Sequence, residues 1–527
     1  MKRFLTFIVC ILCAICIMFS FFKSCSVNNG GKSPRNISAT KGGTINLYSV
    51  YPDTFNPLIT KKWANSQVLT NVYEGLFKVN PDKTVSSVLA TGYKFENGRY
   101  IVDLKKDVVF HNGKNFNAND VIYTLDLIKQ YENNYSGIFE FINSYVAIND
   151  YQISIELNKP VLDFVVYLDF PILPKDYIDA SEFFKEELIG MPVGTGPFIL
   201  KNKISRNGMT LEKNQMWHGK EPYVDKLQVT FMKDNSTALY SFNACQTDII
   251  SSDIVNFGDF SFSNKMSTYE IVGEYYNYLA FNFENDALKN SEVRKAISYA
   301  VDKEKIVNDV MHSHAFAVNI PINPSAYYNP SEYESLYNEK TAIDLLSQNG
   351  WRDLNADNVM EKTIDGTLVN LKFTLLVRED DVESALMASL VKDNLKKCMI
   401  DVEIVLKPTE EYNEDLINKE FDMALVEYKI PKNGDLSEML KTDGESNFYN
   451  ISSYNLDESL NKLKTASNKE MQKDAFLNFA NTFTNETVHI PLCFVSYAVY
   501  YQDYLKNFTY PSYNSIYNGI SDIYIKY

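Results

Sequence analysis

Several features that would indicate an enzyme or a nucleic-acid-binding protein are missing from this chain of 527 residues. The sequence has no HExxH, GxSxG or GxGxxG motif. Gly30-Gly31-Lys32-Ser33 ends like a phosphate-binding loop, but Ser26 stands where that loop needs glycine. Basic residues number 51 against 67 acidic ones, a net charge of −16. Nucleic acid needs a basic surface, so it is not an expected partner.

Cysteine and histidine are scarce, with seven and five residues. Cys245, Cys398 and Cys493 are isolated and odd in number, which predicts neither a disulfide framework nor a metal motif. We predict that all three are buried thiols. His312 and His314 could offer imidazoles to a metal, but the other three histidines are far away in the sequence, so a solvent-facing loop after the helix is favoured.

An acidic stretch partly matches a calcium loop. Asp353, Asn355, Asp357 and Asn358 resemble the first half of such a loop. Position 12 requires a bidentate glutamate and is Ile364. A polar turn between strands is therefore the favoured interpretation, and no metal site is predicted.

Only one apolar run is long enough to insert into a membrane. Phe4–Phe22 follows two basic residues, and Cys25 comes soon after it. This predicts a signal peptide over residues 1–24, lipid attachment at Cys25 and a flexible tether within residues 25–42. The length of the run and the charge of Lys23 leave open an uncleaved membrane anchor. Both alternatives place the rest of the chain outside the cytoplasm, at the outer face of the cell membrane.

Strand signals are clear in the first quarter of the chain. Residues 42–52 alternate and predict a first strand. Residues 93–104 predict a hairpin that turns at Asn97-Gly98, where positive φ angles are easily adopted. Val108–Phe110 is expected to continue the sheet up to a turn at Asn112-Gly113. The residues expected on one face of the first strand are Ile45, Leu47 and Ser49.

Helical periodicity follows these strands. Asn117 is the predicted N-cap of a helix with Asp120 at its third position. Residues 293–301 predict a second amphipathic helix, and Asp302 can cap its continuation through Val310. Strands and helices alternate along the chain, which predicts an α/β class. The predicted apolar face of the first helix consists of Val121, Leu125 and Ile128.

Five segments, in this order and spacing, together resemble the extracellular solute-binding proteins (family 5) of peptide and nickel ABC importers. The segments are Asn71–Leu76, Phe110–Gly113, Ala118–Thr124, Val193–Phe198 and Val293–Asp302. The resemblance extends from about Gly43 to the C-terminus.

The resemblance implies a two-lobed periplasmic-binding-protein-like fold (type II, cluster C) with an extra subdomain on the first lobe. The first lobe would combine residues 43–72, 186–272 and 487–527. The extra subdomain would span residues 73–185, and the second lobe residues 273–486. The lobes would close over a ligand by hinge motion.

The implied function is that of a substrate-binding subunit of an ABC importer, without enzymatic activity or cofactor. Oligopeptides are the expected ligands, ABC permease subunits the expected partners, and a monomer the expected state. The same type of subunit could instead bind a nickel chelate or another small solute. A hydrolase or a receptor for a signalling peptide on the same fold is the alternative from a different class.

The resemblance also indicates where ligand would be held. One cleft-lining segment is Lys62–Ser66, and the other follows residues 421–425. In peptide-binding relatives an aspartate in the second segment pairs with the ammonium terminus of the peptide, but here that position falls on Pro431 or Lys432. Glu427 or Asp435 could substitute for it. The predicted ligand-binding residues are Trp63, Asn65, Glu427, Tyr428, Lys429 and Asp435.

Overall fold

The computed structural model describes residues 40–175, 192–201, 204–252, 265–466, 468–508, 511–512 and 514–526. The predicted signal peptide, Cys25 and most of the predicted tether lie outside these residues. Among the helices of the described part, none has the length and apolar character needed to cross a membrane.

Short strands and helices alternate along the described chain. The strands are β1 (Thr44–Val50), β2 (Phe77–Val79), β3 (Val85–Ser87), β4 (Ala90–Glu96), β5 (Arg99–Leu104), β6 (Ile142–Asn149), β7 (Gln152–Leu157), β8 (Phe198–Leu200), β9 (Gly208–Lys213), β10 (Lys226–Met232), β11 (Ile249–Ser252), β12 (Met266–Phe281), β13 (Ala315–Ala317), β14 (Glu361–Ile364), β15 (Thr367–Asn370), β16 (Lys372–Arg378), β17 (Asp401–Lys407), β18 (Met423–Lys429), β19 (Ile490–Gln502), β20 (Leu505–Lys506) and β21 (Tyr524–Ile525). The helices are α1 (Trp63–Leu69), α2 (Ala118–Gln130), α3 (Asn235–Asn243), α4 (Ser291–Ala300), α5 (Lys303–Lys305), α6 (Glu339–Gln348), α7 (Val382–Lys397), α8 (Thr409–Asn418), α9 (Ser437–Leu440), α10 (Tyr454–Thr465) and α11 (Lys469–Glu486).

Three larger sheets organise these elements. A four-stranded sheet has the order β1-β10-β9-β8, with β1 and β10 parallel. A second four-stranded sheet, β4-β5-β7-β6, is antiparallel. The largest sheet has seven strands in the order β11-β19-β12-β18-β16-β17, with β13 attached to β19.

The buried apolar residues of the described chain form four clusters, and two of these meet along the long strands β12 and β19. Ile271 and Tyr497 belong to the core beneath the two four-stranded sheets. Tyr276 and Phe494, a few residues further along the same strands, belong to the other core. The fold is therefore two-lobed and α/β, and we name the lobes first and second in that order. The residue limits predicted for the lobes stay predictions.

A β-bulge lies where β12 passes between the lobes. The pairing of β12 with β19 shifts register between Val272 and Tyr276. A Cβ atom on Gly273 would lie 2.5 Å from the carbonyl oxygen of Val495, so a larger residue would force the two strands apart. Bulges generally change the direction of a strand locally.

The first strand and the hairpin are confirmed. Ile45, Leu47 and Ser49 on β1 are all fully buried. Strands β4 and β5 form the predicted hairpin. Asn97 and Gly98 have φ angles of 52° and 77°, as a type I′ turn requires.

Both predicted helices are also confirmed. Asn117 and Asp120 form a capping box at the start of α2. Val293 and four further residues of α4 are buried. Asp302 caps α5 by accepting a hydrogen bond from the backbone N–H of Lys305. The chain then continues as a wider π-helical turn over Ile306–Val310.

Two sequence predictions are wrong. Val108–Phe110 is not a strand, because its pairing with the chain after the turn at Gly113 is limited to a single bridge, from Val109 to Asn115. Cys245 is exposed, since it follows the C-terminal end of α3 with a φ of 56°. Cys398 and Cys493 are buried as predicted.

Candidate ligand-binding cavity

A cavity of about 1560 Å³ lies between the two lobes. We call the lining residues from the first lobe the first wall and those from the second lobe the second wall. The first wall includes Trp63, Asn71, Glu74, Lys78, Asp169, Trp217 and His218. The second wall includes Glu274, Ser325, Lys429, Ile430, Pro431 and Lys432.

Glu74 organises the first wall. One of its carboxylate oxygens accepts a hydrogen bond from Trp217 Nε1 at 3.1 Å. The other accepts from Thr195 Oγ1 at 2.9 Å and lies 2.8 Å from His218 Nε2. Only 10% of the Glu74 side chain is exposed, so these partners replace most of its hydration. The carboxylate thereby fixes two aromatic side chains of the wall.

Close backbone packing supports this wall from behind. The N–H of Gly196 donates to Val72 O at 2.9 Å, and that of Phe198 donates to Asn71 O at 3.1 Å. A Cβ atom on Gly194 would lie 2.0 Å from Val72 O, a distance that real Cβ atoms do not reach. Glycine is therefore required at Gly194 for close approach.

His111 also supports the first wall, through hydrogen bonds to the same backbone segment. Its Nδ1 accepts from the backbone N–H of Gly194 at 3.4 Å, which leaves Nε2 to donate to Gly196 O at 3.0 Å. Burial lowers the pKa of His111, while the bond to Gly196 and the charge of Glu74 partly oppose that shift. The neutral imidazole is the form that satisfies both backbone groups.

Four of the six named residues of the second wall, Lys429–Lys432, come from the end of β18 and the residues after it. The N–H of Ile430 donates to Glu274 O at 2.9 Å, which holds this segment against the bulge of β12. Lys429 Nζ lies 3.7 Å from a carboxylate oxygen of Glu274. Lys432 reaches across the cavity and forms an ion pair with Asp169 of the first wall.

Further contacts join the lobes near this ion pair. Asn433 Nδ2 donates to Leu162 O at 2.9 Å. The side chain of Leu162 is buried in the core of the second lobe, although its chain neighbours belong to the first lobe. The N–H of Tyr327 donates to Asp82 O at 2.9 Å. The two lobes are thus in contact at the edge of the cavity.

Comparison with known proteins identifies the family. The family model described as "Bacterial extracellular solute-binding proteins, family 5 Middle" matches residues 84–450. The chain belongs to this family. Family 5 proteins bind solutes outside the cytoplasm and are not enzymes, so the cavity is a binding site and not a catalytic one.

Individual relatives agree with this assignment. The oligopeptide-binding protein AppA of Bacillus subtilis is 27% identical over 84% of this chain and 81% of its own length. Its solved structure in complex with a nonapeptide has a TM-score of 0.58 and 22% identity, covering 93% of this chain and 100% of that chain. A nickel ABC transporter structure from Bacillus halodurans has a TM-score of 0.75 and 22% identity, covering 88% of this chain and 96% of that chain. The two structures show the shared fold.

Two of the six predicted ligand-binding residues line the cavity. Trp63 is half-buried at the start of α1, and its ring meets that of Tyr497 edge-on at a centroid distance of 5.4 Å. Lys429 ends β18 in the second wall. Asn65 is fully buried behind Trp63, where its Nδ2 donates to Thr54 O at 2.7 Å.

The other three residues lie near the second wall but are not among the described residues that line the cavity. Glu427 is exposed on β18, and Tyr428 packs against the core of the second lobe. Asp435 accepts from the N–H of Ser437 at 2.9 Å and lies 3.3 Å from Lys464 Nζ. The ligand-binding role of all six residues stays a prediction.

Several wall residues were not predicted from the sequence. Glu74 and Trp217 had a weak signal, since one lies inside a family segment and the other is one of only three tryptophans. His218 and Asp169 had no sequence signal, because nothing in the local sequence shows that they line a cavity. Lys432 was noted only as an unsuitable anchor for an ammonium group.

The acidic stretch also contains a residue that the calcium pattern missed. One ligand atom each from Asp353, Asp357 and Glu361 lie within 4.8 Å of one another. Glu361 occupies position 9 of the pattern, whereas a calcium loop carries its bidentate glutamate at position 12. None of the three is among the described residues that line the cavity.

His314 Nδ1 lies 3.1 Å from Glu270, beside the predicted exposed turn at His312 and Ser313.

Proposed function

We propose that this protein is the substrate-binding subunit of an ABC importer and that its ligands are oligopeptides. The observation that carries the proposal is the volume of the cavity, about 1560 Å³. Pockets for small molecules measure roughly 300–1,000 Å³. The cavity therefore has room for several residues of an extended peptide.

The lining chemistry supports a peptide ligand. Aromatic rings from Trp63 and Trp217 offer contact area that does not select one side chain. Charged groups of both signs also line the cavity, including Glu74, Asp169 and Lys429. Such a lining suits a zwitterionic ligand with varied side chains. The relative AppA is named for binding oligopeptides.

A nickel chelate is the alternative, since a nickel transporter is among the structural relatives. Among the described lining residues His218 is the single histidine, and it is already bonded to Glu74. The three-carboxylate group at Asp353 is not part of the lining. These observations favour peptide over a metal complex.

The proposal includes attachment to the membrane through a lipid on Cys25, with the protein acting as a monomer. A tether raises the effective concentration of the loaded protein at the permease. Intact-mass measurement of the protein from its own host tests this, because cleavage removes residues 1–24 and acylation adds the lipid mass. An uncleaved mass would instead support the membrane anchor.

Native mass spectrometry of the protein purified from its own host tests the ligand. Closed binding proteins retain ligand through purification, and peptides are the expected additional mass. A nickel-containing mass would overturn the peptide proposal but leave the role in import standing. Turnover of a bound peptide would contradict the binding-protein role itself.

A further inference from the structure

Five charged residues meet where the second wall touches the first lobe. We call them the inter-lobe charge cluster. They are Lys83 and Asp169 from the first lobe and Glu274, Lys429 and Lys432 from the second. All except Lys83 line the main cavity, and Lys83 lines a smaller pocket that shares Glu274 and Lys432 with it.

The contacts within the cluster are uneven. Lys432 is paired with Asp169. Lys429 Nζ lies 3.7 Å from a carboxylate oxygen of Glu274 and 5.9 Å from the centroid of the Tyr275 ring, and 57% of its side chain is exposed. Burial lowers the pKa of Lys83; the charge of Glu274 opposes that shift, and the charge of Lys432 adds to it.

The cluster contains three ammonium groups and two carboxylates, so one positive charge has no counterpart within it. Both lysines of the second wall line the cavity, and 22% of the Lys432 side chain is exposed although its ammonium group is paired with Asp169. An anionic group of a ligand would complete the charge balance. A ligand ammonium group would add a fourth positive charge in a partly dehydrated site.

We propose that the inter-lobe charge cluster is a carboxylate-binding subsite, in which Lys429 and Lys432 receive an acidic group of the ligand. The inference rests on the proposed function, because it assumes a peptide ligand. The carboxylate can come from the C-terminus of the peptide or from an acidic side chain. Closure of the lobes would place the ligand carboxylate between Lys432 and the first lobe. The charge of the ligand would therefore influence how readily the lobes close.

Asp169 gives this arrangement a second feature. Its Oδ1 is buried and has no hydrogen-bond partner among the described residues, while its other oxygen takes Lys432. The ammonium of Lys432 thus occupies one oxygen of this carboxylate, and the other oxygen is buried, out of reach of a ligand in the cavity. A peptide amino terminus would have to displace this ammonium, whereas a carboxylate joins Lys432 from the open side.

Calorimetric titration with three forms of one probe peptide tests the subsite. The forms are penta-alanine with both termini free, with the C-terminus amidated and with the N-terminus acetylated. We expect amidation to weaken binding at least tenfold and acetylation to weaken it less than threefold. An amidated peptide with one alanine replaced by glutamate distinguishes the two sources, because recovery of affinity assigns the subsite to an acidic side chain.

Variants of Lys429 and Lys432 test whether these residues cause the difference in affinity between the free-acid and amidated peptides. In Lys432→Met and in the double variant with Lys429→Met, the free-acid and amidated peptides should bind equally, because the charge that distinguishes them is gone. Lys340→Met removes an equally charged lysine whose side chain is 88% exposed on α6, outside the lining, and should leave the difference intact.

The outcomes distinguish failure of the carboxylate subsite from failure of the proposed peptide ligand. If acetylation costs more affinity than amidation, or if the tenfold difference survives in the double variant, the carboxylate subsite is wrong and peptide binding stands. If none of the peptides binds, the proposed peptide ligand itself fails. The three-peptide comparison on the unaltered protein decides the matter even if a lysine variant does not fold.

Discussion

The two walls of the cavity are built in different ways. The first wall is held by buried hydrogen bonds to Glu74 and by backbone packed directly on backbone at Gly194. The second wall is a strand end whose charged side chains, Lys429 and Lys432, are held mainly by ion pairs. Backbone packing fixes a surface, whereas ion pairs at a partly wet boundary can be exchanged for ligand groups.

This difference indicates that the two walls have different roles in ligand binding. The first wall is preorganised and supplies a fixed shape with aromatic faces. The second wall supplies charges that can exchange their partners when a ligand enters. Changes in the first wall should therefore affect folding first, and changes in the second wall should affect ligand selectivity first.

The largest effect is expected from Gly194→Ala. The added Cβ would meet Val72 O at 2.0 Å, and neither backbone segment can move without breaking the bond from Gly196 to Val72. We expect a loss of about 3 kcal/mol or more in the free energy of unfolding, at the upper end for overpacking. Urea denaturation followed by tryptophan fluorescence measures it.

Gly92→Ala is the matched control for this substitution. A Cβ atom at Gly92 has no heavy atom within 4 Å, and its backbone is not in the left-handed region. Its free energy of unfolding should change by less than about 0.5 kcal/mol. Equal losses in the two variants would show that the first wall is not fixed by close backbone packing.

The next effect is expected from Glu74→Gln. The amide keeps the shape of the side chain but loses the negative charge that accepts from Trp217 and Thr195 and faces His218. Hydrogen bonds to charged groups contribute about 1.5–3 kcal/mol, so we expect a stability loss of about 2 kcal/mol. Loss of ligand selectivity with unchanged stability would contradict the structural role of Glu74.

The elements of the fold that depend on local pattern were predictable from the sequence. The capping box at Asn117 and the positive φ angles at Asn97-Gly98 are properties of a few adjacent residues. The prediction of a strand at Val108–Phe110 was wrong because a strand needs continued pairing, and this segment pairs through a single bridge, from Val109 to Asn115. The prediction that Cys245 is buried was wrong because burial depends on tertiary position and not on residue type.

The site was less predictable because it is assembled from distant segments. Asp169 and Lys432 meet across 263 positions of sequence, and no local pattern joins them. Trp63 and Lys429 could be placed because each lies in a segment that resembles the family. Asn65, two positions after Trp63 on α1, shows the limit of such placement, because two residues turn about 200° around a helix and bring Asn65 to the buried side.

Trp63→Ala tests the first wall as a binding surface. Removing the ring takes away contact area facing the ligand and its edge contact with Tyr497. We expect affinity for peptide to fall about tenfold, which corresponds to about 1.4 kcal/mol, because aromatic anchors contribute strongly to binding. Trp63→Phe keeps part of the surface and should retain most of the affinity. Unchanged binding in the alanine variant would place the ligand elsewhere in the cavity.

The smallest effect is a pH dependence of the first wall through His111. Burial lowers the pKa of His111 below its ordinary value of 6.5, so the folded state favours the neutral ring that accepts from Gly194 and donates to Gly196. Between 6.5 and the lowered pKa the unfolded chain binds more protons than the folded one, so stability falls as pH decreases through this window. Above pH 6.5 the contribution is complete. Thermal unfolding at several pH values should show a steeper decline below pH 6.5 in the unaltered protein than in His111→Gln, whose amide can still donate to Gly196 but does not titrate. Every other group titrates in both proteins, so identical slopes would mean that His111 does not couple protonation to the first wall.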